Sequence, residues 1–486
     1  MRILALAAAA LLVDGTKVQM DWGAALRTDA TAMHDAIAVN HPGPVNPADP
    51  GFSARNDAQL ERALRRARTA KSFADYFYAM QQYSASFNDG HLSYGVWRST
   101  PDVVQRWPGF LTRYDAGGHQ TVVISEPWSG VPLGARLLSC DGRSADEVAR
   151  DRVGSRVGRW ALASQRELFG AMTFLDVGDP YVGTIQRCRF DEGGDILEVT
   201  LKWQAPKQDL YRYVFLPPIN REVTQRVLPD GTQWFHIPSF NGDPDSTVGK
   251  QLRETITYIR DHADQVRTAP AVVFDLRGNG GGSSDWSYQI ADQLWGPGAL
   301  ARHPEPPMTI SWRASQDNLA SIKTGYAAVS KNGNLSADAS AWYKETIEGL
   351  GKTLSAGDPL WVIKPLAVGP APNGKAAPSY RTKGPVYVLT DSACMSACLD
   401  AVDLWTRLGA ITVGRETSAD TLYMEVRQVP LPAGLGAFSL PMKVYAGRSR
   451  GSNQPVHPRH RFSGDMADTR ALENWIATLP EPKRHR

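Results

Sequence analysis

Val272-Val-Phe-Asp-Leu-Arg-Gly-Asn-Gly-Gly-Gly282 decides how the rest of the chain is read. An apolar, β-branched run that passes straight into three glycines predicts a buried strand feeding a loop. Glycine at that point lets the backbone come close to a ligand and turns its N–H groups outward, as an oxyanion or a phosphate requires. A nucleotide site fits poorly. Gly278-Asn-Gly280-Gly-Gly-Ser283 fails the last position of the dinucleotide pattern, and no Gly-Lys-Ser/Thr follows. Working outward, a strand over 233–237, a helix over about 246–263 and a helix after Gly282 give an α/β alternation and hence a parallel or mixed sheet.

The same alternation resumes at 385–390, a strand that leads into Thr390-Asp-Ser-Ala-Cys-Met-Ser-Ala-Cys398. A helix over about 396–408 follows, with Leu399, Val402, Trp405 and Leu408 at helical spacing, then a strand over 410–413. A serine at a strand-to-helix turn exposes its hydroxyl above a helix N-terminus, as nucleophilic hydrolases require; the alternative is a simple N-cap. Between the two halves, residues 302–381 form a polar insert with two helices, near 315–329 and 337–354. It reads as a lid, a specificity element or a surface decoration.

The N-terminal third differs. Apolar residues at helical spacing run from Trp22 to Phe87, with Asn56 and Ser72 as candidate N-caps, and Asn88-Asp-Gly90 turns the chain into a strand over 92–97. Residues from about 105 to 206 are β-rich, with short strands at 121–125, 136–139 and 196–201 and turns at Asp141-Gly142 and Gly193-Gly194.

Composition sets the bounds. The chain has 486 residues, enough at roughly 150 per domain for about three domains. Lys plus Arg is 53 against 50 for Asp plus Glu, so a net charge of +3 gives no electrostatic case for nucleic acid or an anionic membrane as partner. With 42% hydrophobic residues, compact cores are expected. Arg2 and the apolar run Ile3 to Val13 are too short for the roughly 20 residues of a membrane span and fit a secretory signal, although no small-x-small cleavage site follows. The four cysteines fall as Cys140 with Cys188 and Cys394 with Cys398: two disulfides if the chain is exported, four buried thiols otherwise.

In order, Trp234-Phe-His-Ile-Pro-Ser-Phe240, Phe274-Asp-Leu-Arg-Gly-Asn-Gly-Gly-Gly282, Val386-Tyr-Val-Leu-Thr-Asp391 with Met395-Ser-Ala397, and Val413-Gly-Arg-Glu-Thr417 resemble the core motifs of the C-terminal processing and tricorn-type serine peptidases. The resemblance spans about residues 20–478, and its Asp-Leu-Arg-Gly-Asn-Gly-Gly stretch is the most specific part. It implies a mixed α/β protein: a signal peptide over 1–20, an N-terminal helical bundle over 21–100, a PDZ-like β module over 105–206, and a ClpP/crotonase-like α/β core over 207–478 that carries the insert. It also implies Ser396 as nucleophile, with the amides of Gly280 or Gly281 and of Ala397 as oxyanion donors. Neither cofactor nor metal is expected. The implied partner is a peptide or protein substrate, held by its C-terminus on the β module around Gly134-Ala-Arg-Leu-Leu-Ser-Cys-Asp-Gly142, with Pro108-Gly-Phe-Leu111 a loose match to a carboxylate-binding loop. Oligomeric state is not indicated.

The base departs from one branch of that family. Where the Ser-Lys branch has its lysine, three residues after Thr417, this chain has Asp420. The tricorn-type branch uses a histidine from the turn after the N-terminal helices, which falls on His91; a neutral imidazole takes a seryl proton near neutral pH without help from burial. His236 reads as packing on a core strand, His457-Pro-Arg-His460 lacks metal-pair spacing, and Lys443 is the nearest alternative base. The orienting residue is open among Asn453, Asp420 and Glu416. Two functions follow: a serine endopeptidase, or a non-catalytic binder of apolar ligands or peptides on the same fold.

Overall fold

The computed structural model describes residues 20–97, 99, 101, 104–115, 117–207, 209–210, 220–243, 245–331, 337–363 and 377–480; the leader-like run at 3–13 lies outside them. Three helices come first: α1 Trp22–Asn40, α2 Phe52–Ala67 and α3 Phe73–Ala85. Asp21 caps α1 by accepting the Ala24 N–H, and Ser72 and Asp75 form a capping box on α3. Asn56 does not cap α2, which starts a turn earlier. It is buried inside the helix, where its Nδ2 donates to His34 O and its Oδ1 accepts from Tyr83 OH, so tertiary partners and not the helix end satisfy it.

After the Asn88–Gly90 turn, strand β1 Tyr94–Val96 leads into an antiparallel module of β2 Phe110–Tyr114, β3 Gln120–Ser125, β4 Arg136–Cys140, β5 Arg143–Ser144, β6 Arg187–Glu192 and β7 Asp195–Thr200. Its order is β2-β3-β4-β6-β7, with β5 on β4. Cys140 and Cys188 lie opposite each other in the β4–β6 register and are disulfide-bonded.

The rest of the chain alternates. In order come β8 Thr224–Val227, β9 Gln233–His236, α4 Thr247–Asp261, β10 Val272–Asp275, α5 Asp285–Trp295, β11 Thr309–Arg313, α6 Gln316–Lys331, α7 Ala337–Ala356 and β12 Leu360–Ile363. They are followed by β13 Val386–Thr390, α8 Ala397–Arg407, β14 Ile411–Gly414, β15 Tyr423–Pro430, β16 Gly436–Ala446, β17 His460–Arg461 and α9 Thr469–Ala477. The core sheet runs β17-β14-β13-β10-β9-β8, parallel except at β8. Every residue of β9, β10, β13 and β14 is buried, because helices cover both faces: α4, α5 and α8 on one, α9 with Phe462 and Met466 on the other.

The insert is not a surface decoration. Its strands β11 and β12 complete a second sheet, β1-β16-β11-β12, with β15 also on β16. The physical reason is the long β15–β16 hairpin, whose second strand offers β11 a pairing edge. Trp312, Leu319, Ile322 and Leu350 of the insert then share one core with Leu26 and Met33 of α1 and Phe438 of β16. Among the described residues no helix is long and apolar enough to cross a membrane.

Candidate active site

Two adjacent parallel strands, β10 and β13, deliver two loops to the same end of the core sheet. Asn279 organises the first loop. Fully buried, it donates from Nδ2 to Ile237 O (2.9 Å), accepts the Gly281 N–H on Oδ1 (2.9 Å) and accepts the Met395 N–H on its carbonyl (3.4 Å). Glycine is required here by space as well as by conformation. A Cβ on Gly281, at φ +96°, would lie 2.7 Å from Ser396 Cβ, and one on Gly282, at φ +137°, would lie 1.8 Å from Phe240 O.

The second loop carries Ser396 at φ 54° and ψ −127°, immediately before α8. Ser396 occupies the helix N-cap position, yet its hydroxyl makes no capping bond. Its N–H donates instead to Asp420 Oδ2 at 2.8 Å. Cys394 and Cys398, both buried, form a disulfide that brackets the serine. Among the described residues neither the Gly280 N–H nor the Ala397 N–H has a hydrogen-bond partner, whereas the Gly281 N–H is held by Asn279. Gly280, next to Gly281 in the loop that meets Ser396, and Ala397, the residue after Ser396, therefore carry the free donors, rather than Gly281.

His91 reaches the site from the turn after α3. Its N–H donates to Asp89 Oδ1 (2.8 Å), and its carbonyl accepts the Ser439 hydroxyl (2.7 Å), which ties the turn to β16. The ring is mostly buried, with Nδ1 3.8 Å from Asp89 Oδ1 and without a hydrogen bond. Burial pushes the Asp89 carboxyl up, against the opposing pull of His91 and Arg159. Arg159 links the pieces: its N–H donates to Asn88 Oδ1 (2.7 Å), its Nη1 donates to Ala419 O (2.6 Å), and its charge faces Asp420 and Asp89. Asn453 adds a brace, with its N–H on Asp420 O (2.7 Å) and its Nδ2 on Asn88 O (2.9 Å). The His91 turn and the Ser396 turn thus meet through Arg159, Asp420 and Asn453; no hydrogen bond runs directly between the His91 ring and Ser396 among the described residues.

Residues 234–458 match the model of peptidase family S41. The core belongs to peptidase family S41. The chain is a hydrolase of the serine peptidase class that acts on peptide or protein substrates. Among solved structures, mature CPAF overlays with a TM-score of 0.54 at 16% identity over 90% of this chain and 93% of that one. Mature CPAF complexed with lactacystin overlays with a TM-score of 0.53 at 16% identity over 90% and 94%. The tricorn protease overlays more loosely, with a TM-score of 0.40 at 12% identity over 94% of this chain and 37% of that one. The search of curated proteins returned no match.

Other candidates lie away from the two turns of this S41 core. Lys443 on β16 pairs with Glu425 at 3.2 Å; burial works to lower its pKa, but the charges of Glu425 and Tyr445 outweigh it and push it up to about 12, which leaves a cation rather than a base. Glu416 pairs with the exposed His457 at 2.9 Å. His236 is on its core strand but is polar-bonded rather than simply packed: Nε2 meets Asn220 O at 2.8 Å, and Nδ1 lies 3.2 Å from Asp275 Oδ2. Asp89, Arg159 and Asn279 were missed by sequence reasoning. Asp89 was visible only as part of the Asn88-Asp-Gly90 turn, where its type suits a turn and hides a second role.

Proposed function

We propose that the chain is a serine endopeptidase in which Ser396 forms an acyl-enzyme, with His91 as general base. Ser396 Oγ attacks the scissile carbonyl, and its proton passes to His91, which then gives it to the leaving amine; water reverses the sequence. The oxyanion is held by the Gly280 and Ala397 amides, and Asp89 orients the imidazole through Nδ1, a contact that tightens when substrate fills the site. The observation that carries this reading is Ser396 itself: a non-glycine residue at positive φ, capping nothing, against a glycine loop, with the N–H groups of Gly280 in that loop and of the following Ala397 unpartnered among the described residues.

The same proposal extends to the β module and to location. In the module β2 is an edge strand reached through Pro108-Gly-Phe-Leu111, which suits it to take an extended peptide and its terminal carboxylate. The disulfides Cys140–Cys188 and Cys394–Cys398 support export to an oxidising compartment, such as a periplasm.

The test is labelling with a fluorophosphonate followed by peptide mapping, alongside casein hydrolysis by wild type, Ser396→Ala and His91→Ala. Label on Ser396, none on Ser396→Ala, and a fall of several orders of magnitude, about 10³-fold or more, in both variants are expected. Wild-type turnover by Ser396→Ala would rule the mechanism out.

A further inference from the structure

We infer that Asp391 is a positioning residue for this reaction, its two carboxylate oxygens clamping the glycine loop to the nucleophile turn. The inference rests on the reading of Ser396 as nucleophile with Gly280 and Ala397 as oxyanion donors. Oδ2 accepts the Gly278 N–H at 2.9 Å, and Oδ1 accepts the Ala393 N–H at 3.0 Å. Gly278 stands two residues before Gly280, and Ala393 stands three before Ser396. One buried side chain therefore sets the separation between a donor and the atom that the donor must serve.

The residue type fits the task. Asp391 follows directly from β13, which pairs with β10 in register up to Asp275 and Leu389, so the clamp is mounted on the two central strands of the core sheet. Only a carboxylate offers two acceptor oxygens and no donor; an asparagine would turn its NH2 toward one of the two amides. Burial, with the charges of Asp275 and Glu167 adding to it, pushes the Asp391 carboxyl up to about 6, against the pull of the two amides. The charged groups facing it are Asp275 and Arg277 from the end of β10 and Glu167 from the helix Ala163–Phe169, which accepts the Ser392 hydroxyl and faces Arg415. Keeping a charge there costs stability that a neutral side chain would not.

The chemical consequence is specific. Protonation of Asp391 converts one acceptor into an O–H that faces an N–H, and one tie of the clamp is lost. Catalysis then needs Asp391 ionised and His91 neutral, so two protons inhibit on the acid side where His91 alone would give one.

The experiment measures the rate of Ser396 phosphonylation by a fluorophosphonate–rhodamine probe against pH. In that step Ser396 Oγ bonds to phosphorus, fluoride leaves, the seryl proton passes to His91, and the phosphoryl oxygen occupies the oxyanion site. For wild type the logarithm of the rate should fall with a slope approaching two on the acid side. Asp391→Asn should show a slope of one, with a maximal rate about 10²-fold lower and probe affinity little changed, the size of effect expected when an oxyanion donor is misplaced. A wild-type slope of one, or Asp391→Asn reacting as fast as wild type, would overturn the role; the wild-type slope decides even if the variant does not fold. Unchanged labelling of Ser396→Ala is a different failure, since it removes the nucleophile assignment and this role of Asp391 with it.

Discussion

Ser396 is held through its main chain. A non-glycine residue at positive φ costs on the order of 1–3 kcal/mol and persists only where its surroundings determine it. Here the Ser396 N–H is taken by Asp420, its carbonyl accepts the N–H groups of Leu399 (2.8 Å) and Asp400 (3.2 Å), and Gly281 leaves room for its Cβ. The hydroxyl makes no capping bond and is free for the proposed attack. Sequence reasoning singled out Ser396, because a serine between a buried strand and an amphipathic helix is a local pattern, but it met Asp420 only as the residue in the lysine's place and as one of three open candidates for orienting the base. A contact across 24 residues has no local signature. Asp420→Ala strips the Ser396 amide of its acceptor and should lower casein turnover about 10²-fold by misplacing the proposed nucleophile, and should cost about 1 kcal/mol of stability for the part-buried amide left unpaired. Asp420→Asn keeps an acceptor oxygen and should recover most of the turnover. If the alanine variant turns over like wild type, Asp420 does not position the serine.

At the scale of elements, the start of α8 is fastened twice, by Asp420 from outside and by the Cys394–Cys398 disulfide from within. A bridge across so short a loop constrains the unfolded chain little, about 2 kcal/mol on loop-closure arithmetic, against about 4 kcal/mol for Cys140–Cys188 with its 48-residue separation. The two pairs should therefore part company on removal. Cys394→Ala with Cys398→Ala should lose at least about tenfold in turnover for a small drop in Tm, because its loop carries the proposed nucleophile. Cys140→Ala with Cys188→Ala should lose more Tm and keep its turnover. Equal turnover in both double variants would mean that the bracket around Ser396 is structural only. Other elements differ in how openly the sequence announces them. The helices α3, α4 and α8 and the strands β10 and β13 follow their periodicities. The hairpin of β15 and β16 does not, since Pro430 and Pro441 read as breakers and Gly436, Ser439 and Lys443 interrupt the apolar pattern. Missing it made the insert look detachable.

For the whole molecule, composition separates an N-terminal helical part, a β module and an α/β core, while packing joins the first to the last. The core shared by Leu26, Trp312 and Phe438 is built from segments hundreds of residues apart, which no window of sequence contains. A second long-range tie sits at the C-terminal ends of β9 and β10, where His236, Asp275 and Arg277 form a buried cluster and Arg277 reaches Met466 O (2.6 Å) and Thr469 Oγ1 (3.0 Å) at the start of α9. Burial alone would lower the His236 pKa, but the close Asp275 carboxylate outweighs it and raises it above 6.5. Burial alone would raise the Asp275 carboxyl, but Arg277 and His236 hold it far below 3.8. The two signs define a window. Stabilisation through His236 is fully present below about pH 6.5 and is lost as pH rises through the raised folded value, whereas that through Asp275 is present above about pH 3.8 and is lost as pH falls through its lowered one. His236→Gln keeps the size and a donor for Asn220 O but never carries the charge. Its stability deficit against wild type, read as the difference in urea midpoints, should be greatest at about pH 5.5 and should shrink toward about pH 9 as wild-type His236 loses its proton through its raised folded value and leaves Arg277 alone facing Asp275. A deficit of the same size at both values would mean that His236 acts there by shape and not by charge.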